Sequence, residues 1–199
     1  MKLSGLLELL RERPAYQALL DIIQADTWRG RTPPLQLRKS ARPYLIAALA
    51  QHLRRPILVV TGRSQRAAQL HTHLRQWLPA SEVHLFSAAD PLPYEKVPWG
   101  SETIFQRLSA LSVLAPYFAS MPAQAGGEEP PIVVTSARAL LSLTIPRREF
   151  ILGLRVLRQG QQINPIKLLE SLVAMGYQPV QLVEEPGTFS RRGGILDVF

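Results

Sequence analysis

The stretch Ile57–Leu74, ILVVTGRSQRAAQLHTHL, constrains the fold of this 199-residue chain more than any other. Its first four residues are all apolar, they run into Thr61-Gly62, and helical spacing follows. A strand that is apolar at every position is the kind buried on both faces of a parallel sheet. The same pattern returns in IVVTSARALL (132–141), where a strand passes at once into a short helix capped by Ser136. Between them, EVHLFSA (82–88) reads as another strand. Ser64–Trp77 is predicted to be a helix with Ser64 as its N-cap. A further helix is predicted from Ser101 to about Ala115, with Leu108, Leu111, Val113 and Leu114 facing inward. Strands alternating with helices at this spacing indicate an α/β domain built on a parallel sheet.

The flanks are less regular. Leu3–Arg13 and Tyr16–Ile23 read as two short helices separated at Pro14, and Arg42–Leu53 as a helix with proline in its first turn. DTWRGRTPPLQL (26–37) and DPLPYEKVPWG (90–100) read as loops, and MPAQAGGEEPP (121–131) as a mobile linker. After Pro146 the pattern changes. EFILGLRVLRQG (149–160) is predicted as a strand and NPIKLLESLVAMG (164–176) as a helix opened by Asn164-Pro165 and ended by Gly176. YQPVQLVEE (177–185) follows as a strand, and a glycine-rich turn then leads into a last strand, GGILDVF. The expected organisation is an α/β domain over 1–145 and the start of a smaller α+β domain over 146–199. The second domain is expected to be truncated, because the chain stops on a strand.

Composition narrows the function classes. Hydrophobic residues are 46% and charged residues 19% of the chain, as in ordinary globular proteins. No apolar run approaches the roughly 20 residues that span a bilayer, so no membrane role is expected. With no cysteine, disulfides and thiolate metal sites are excluded, and the cytoplasm is the expected location. His71 and His73 are two apart, which on a helix puts them on different faces, so no metal site is expected. The net charge of +8 is uneven: residues 1–80 hold 13 Lys/Arg against 4 Asp/Glu. Such a half could meet nucleic acid or an acidic partner; scattered arginines without interleaved aromatics also suit a merely solvated surface.

The turn after the first strand sits where a phosphate loop would. Such a loop needs glycines so that backbone N–H groups converge on phosphates, a lysine for the β/γ-phosphates and a Ser/Thr for Mg²⁺. Here it reads Thr61-Gly62-Arg63-Ser64-Gln65-Arg66, and no lysine lies between Lys39 and Lys96. No acidic box follows the third strand. The residues fit a nucleotide-binding architecture without its chemistry, and also a parallel-sheet domain that never bound nucleotide.

Three segments carry a family resemblance. GYQPVQLVEEPGTFSRRGGILDVF (176–199) resembles the G-Y-x-x-V…G-x-F-x-x-R-G-G-I-L-D-[VI]-F stretch of the bacterial transcription-repair coupling factors (Mfd). DPLPYEKVPWGSETIFQRLSAL (90–111) and IVVTSARALLSLTIP (132–146) resemble two further segments of that family. The resemblance implies a module similar to the excision-repair protein UvrB: a helicase-like (RecA-like) domain with a degenerate nucleotide site and a smaller inserted α+β domain. UvrB itself is the alternative, but it has an intact phosphate loop and a long tyrosine-rich hairpin, for which 90–101 is too short.

In that family a C-terminal motor, with ATP and Mg²⁺, moves on double-stranded DNA and dislodges stalled RNA polymerase, and the N-terminal module recruits UvrA. The resemblance therefore implies a recruiting fragment of nucleotide excision repair, with no catalytic residues and no cofactor of its own. By the same resemblance, Arg192-Gly193 belongs to the UvrA-facing surface, with Arg191, Phe189 and Tyr177 flanking it. Core packing is the competing role for Phe189 and Tyr177, plain solvation for Arg191, and a local strand-end hydrogen bond for Asp197. Gln178 stands where some relatives carry a basic residue. Direct DNA binding by the basic half is the competing function.

Overall fold

A computed structural model describes residues 3–25, 35–79, 82–91, 94–118 and 130–199. The linker expected over 121–131 lies outside them except for its last two residues, and so does most of the loop at 26–37.

Three parallel strands form the central sheet: β1 (Ile57–Thr61), β2 (Val83–Phe86) and β3 (Ile132–Ser136), in the order β1-β3-β2. Helices α1 (Pro14–Gln24), α2 (Arg42–Leu53) and α3 (Ser64–Leu74) accompany them, with α4 (Ser101–Phe118) and α5 (Ala137–Leu140) further along the chain. The expected α/β class with a parallel sheet is what the structure has.

Alternation along the strands sends successive side chains to opposite faces, and the two faces have different cover. Ile57, Val59, Val83, Leu85, Ile132 and Val134 pack into one cluster with residues of α1, α2 and α3. Val133 and Phe86 pack on the other face with Ala110 of α4 and Ala139 of α5. All five residues of β3 are buried. Strand β1 departs from the expectation of burial on both faces. Leu58 and Val60 are 57% and 49% exposed, because β1 is an edge strand and the cluster containing α4 and α5 lies over β2 and β3.

Several local expectations need correction. Leu3–Arg13 forms two 3-10 segments, Leu3–Leu6 and Glu8–Glu12. Pro14 opens α1 at its first position, where its missing N–H costs nothing. The N-cap residue of α3 is Arg63, not Ser64, which is the first helical residue, and the helix ends at Leu74. In α4 the fully buried apolar residue is Ala110, whereas Leu108 is 37% exposed: a small residue lets the helix lie close to the sheet.

The segment predicted as a strand at 149–160 is a helix, α6 (Arg147–Gly153), followed by irregular chain. A strand must pair its backbone groups with a neighbour, and none stands beside this segment among the described residues. A short helix satisfies them internally, as the Phe150 N–H does by donating to the Pro146 carbonyl at 3.0 Å.

Helix α7 (Pro165–Ala174) follows the sequence closely. The Asn164 side chain accepts from the N–H groups of Ile166 and Lys167 at 3.0 and 3.2 Å, a cap that contributes about 1 kcal/mol. Its other end is closed by Gly176, at φ 93°, with Gly176 N–H donating to Val173 and Tyr177 N–H to Leu172. That left-handed residue is why glycine stands there.

The second sheet has the order β4-β5-β6: β4 (Gln178–Pro179) is parallel to β5 (Thr188–Arg192), which is antiparallel to β6 (Ile195–Val198). The strand expected over 177–185 is thus only two residues long, and β5 lies where a turn was expected. The glycine-rich turn is instead the two-residue tip of the β5–β6 hairpin. Gly193 has φ 61° there, a conformation glycine adopts without strain. The Phe199 ring meets Phe105 of α4 edge-on at 5.7 Å.

Candidate functional site

Two places could carry function: the turn at the end of β1 and the β5–β6 hairpin. At the first, the Thr61 hydroxyl points into its own turn, within hydrogen-bonding range of the Arg63 carbonyl at 2.9 Å and the Thr135 carbonyl at 3.2 Å. The Ser64 hydroxyl lies 3.1 Å from that of Ser136. Ser136 in turn accepts from the Ala139 N–H and so caps α5, as its sequence predicted. The hydroxyls of this turn are therefore engaged within the protein, Thr61 with backbone carbonyls and Ser64 with Ser136.

Beside this turn opens a cleft of about 530 Å³, lined by Ser64, Gln65, Ser87, Asp90, Glu102 and Gln106 among others. Its charged lining residues among the described residues are Asp90 and Glu102, both acidic. Arg63 and Arg66 are exposed and do not line it. A polyphosphate entering here would meet like charge.

Arg107 was not singled out by sequence. It is 3% exposed and donates to the carbonyls of Ser87 at 2.8 Å, Ala139 at 3.4 Å and Ser142 at 3.4 Å. Its guanidinium lies 4.0 Å from the centre of the Phe86 ring and 4.8 Å from that of Trp99. Burial lowers its pKa. It clips the end of β2 to the chain after β3, which is a structural task, and a lone arginine in a helical pattern carries no signal for it.

A second polar cluster fastens the N-terminal segment to α2. The Tyr16 hydroxyl lies 2.7 Å from His52 Nδ1, and His52 Nε2 lies 3.5 Å from a Glu8 carboxylate oxygen. Burial, with the Arg11 cation second, lowers the His52 pKa; burial raises Tyr16 to about 12. His71 approaches the Val83 carbonyl at 3.3 Å, and burial lowers its pKa. Among the described residues no group of three or more His, Asp or Glu is placed to hold a metal ion, and no helix is long and apolar enough to cross a membrane.

On the hairpin, alternation separates the expected contact residues. Arg192 shares a face with Ser190, and Arg191 shares the other with Phe189. Arg192 is exposed and donates from Nη2 to the Gln181 carbonyl at 2.8 Å. Arg191 is also exposed, but its Nε donates to the Gly193 carbonyl of its own hairpin tip at 3.2 Å. Phe189 is 5% exposed, so its ring belongs to the core of the small sheet. Tyr177, half-buried, is at the end of α7. Opposite Arg192 in the register stands Ile195, 65% exposed. An exposed cation and an exposed apolar side chain thus stand side by side at the hairpin tip.

Comparison with known proteins bears on this part of the chain. Residues 156–199 match the UvrB interaction domain, a segment that contains α7 and the whole small sheet. The fold and this segment define the class: a parallel α/β unit that carries a UvrB-type interaction domain. Over 198 residues the chain is 33% identical to the transcription-repair-coupling factor of Mycobacterium bovis, covering 99% of this chain and 15% of the relative. It is 34% identical over 170 residues to that of Myxococcus xanthus and 28% over 163 to that of Bacillus subtilis, in each case 82% of this chain and 13% of the relative. The chain is an N-terminal module of the transcription-repair-coupling factor family. It spans about one seventh of the length of the curated relatives it matches.

Proposed function

We propose that this chain is the recruiting part of a transcription-repair coupling factor: it binds UvrA through the small sheet, with Arg192 as the principal contact, and does no catalysis itself. The observation that carries the reading is the coincidence of the UvrB interaction domain match, 156–199, with the hairpin that exposes Arg192. A guanidinium presents donors in a fork that matches a carboxylate, and at an uncrowded glycine tip it can reach one. Phe189 and Tyr177 support this surface from within, and Arg191 stiffens its tip.

In this reading the larger unit is helicase-like, and the Thr61–Arg66 turn is a nucleotide site that has lost its function. The internal hydrogen bonds of the Thr61 and Ser64 hydroxyls and the acidic lining of the adjoining cleft support that. The inserted domain begins near Pro146, and ATP, Mg²⁺, RNA polymerase and double-stranded DNA belong to the motor of a longer protein.

The test is titration of the chain against purified UvrA. Arg192→Ala is expected to weaken binding about thirtyfold, corresponding to about 2 kcal/mol. Arg192→Glu should weaken it further by setting like charges together. The Arg192 side chain is exposed, so circular dichroism should be unchanged in both variants. Folded variants that bind as wild type does would remove Arg192 from the interface. Direct DNA binding is the second reading, favoured by the 13-to-4 basic excess of residues 1–80. It would appear as weak, sequence-indifferent binding that falls steeply with salt.

A further inference from the structure

We propose that Ser190 is a positioning residue for the partner contact at Arg192, acting through the Gln181 carbonyl; this rests on the reading that Arg192 is the UvrA contact. Ser190 is 5% exposed, an unusual place for a hydroxyl unless it is bonded. It is bonded, donating to the Gln181 carbonyl at 3.1 Å. Two residues along the same face of β5, Arg192 Nη2 donates to that same oxygen at 2.8 Å. A carbonyl oxygen has two lone pairs, so this one is filled by the two donors.

Next to Gln181 the Val180 N–H donates to the Phe189 carbonyl at 2.8 Å, which continues the pairing of β4 with β5. Beyond Gln181 the chain turns away as Leu182, 61% exposed. Past that pairing, the Ser190 hydroxyl is the buried side chain that ties this carbonyl to the outer part of β5. The carbonyl in turn anchors one edge of the Arg192 guanidinium and leaves Nε and Nη1 without a partner among the described residues.

An arginine on an open strand surface samples many rotamers, and holding it in one on binding costs free energy. Anchoring one nitrogen in advance removes part of that cost and fixes where the remaining N–H groups point. What they fit is a carboxylate of the partner that approaches the exposed edge of the fork. Losing the Ser190 hydroxyl would leave Arg192 in place but no longer aimed.

The experiment is a double-mutant cycle in the full chain against purified UvrA: wild type, Ser190→Ala, Arg192→Ala and the pair together. Ser190→Ala is expected to weaken binding roughly fivefold, and the pair is expected to bind no more weakly than Arg192→Ala alone, within about twofold. A residue with a merely structural role would lose the same factor in both backgrounds. Wild-type affinity for Ser190→Ala, or a fivefold loss that persists beside Arg192→Ala, would overturn the proposal. Wild-type affinity for Arg192→Ala would instead overturn the reading it rests on, whatever Ser190→Ala does. Should Ser190→Ala fail to fold, Ser190→Thr keeps the hydroxyl. A folded Ser190→Thr with wild-type affinity supports the proposal, and a folded one with tenfold weaker affinity overturns it.

Discussion

Strands β3 and β5 invite comparison. Each has five residues and lies in the middle of a three-stranded sheet. Along β3 every residue is buried, including Thr135 and Ser136. Along β5 burial stops after Ser190, and the last two residues are exposed arginines. The difference lies in what covers the faces. Helices pack on both faces at β3, so its polar side chains turn inward: the Thr135 hydroxyl donates to the Phe86 carbonyl at 2.9 Å. The outer half of β5 projects beyond its cover, and there side-chain chemistry is free to serve a partner. In the proposed reading β3 serves stability and β5 in part recognition, and substitutions should separate the two.

Ile132→Ala should have the largest effect. Its side chain is fully buried in the main cluster, and truncation should cost about 3 kcal/mol by denaturant unfolding, with UvrA affinity per folded molecule unchanged. If it weakened UvrA binding at full folding, the separation of roles would break. Thr135→Val keeps the shape and removes one buried hydrogen bond donor. A loss of about 1 kcal/mol is expected, again with no change in binding.

The pH dependence should be smaller and should follow the N-terminal cluster and His71. The folded pKa of His52 and of His71 lies below the ordinary 6.5, first because both are buried. The unfolded chain then binds more protons, so stability is fully present above pH 6.5 and falls as the pH drops through that value. Tyr16, raised to about 12, works in the other direction. Its contribution is present below pH 10 and is lost as the pH rises from 10 towards 12. Thermal unfolding from pH 5 to 11 should show both declines, and a His52→Gln variant should show a shallower acid limb. The smallest expected effect is none at all: calorimetric titration with Mg-ATP should be silent, and micromolar binding would contradict the reading of the Thr61–Arg66 turn.

How far the sequence reached can be seen element by element. The three strands of the central sheet were legible because each is a short apolar run bounded by turn residues, and α7 because Asn164-Pro165 and Gly176 mark both of its ends. Segment 149–160 was not, because a run such as EFILGLRVL satisfies strand and helix templates alike over so few residues. Strand β5 was hidden because TFSRR has neither alternation nor an apolar face. Its pairing with GGILDVF depends on a hairpin tip that read as an ordinary turn. At the candidate surface, Arg192 was reached through its motif, whereas Ser190 and Gln181 were not. A backbone carbonyl has no sequence signature.

By itself, then, the sequence determined what depends on neighbours along the chain: the strands of the central sheet, the caps of α5 and α7, and a turn after β1 without the residues of a phosphate loop. Tertiary structure decided what depends on contacts between distant segments. It made β1 an edge with Leu58 and Val60 uncovered, drew Arg107 into a cage of carbonyls and rings, and buried Phe189. It also placed the carbonyl of residue 181 between the side chains of residues 190 and 192. Periodicity tells a side chain which way to face; only packing tells it what it will find there.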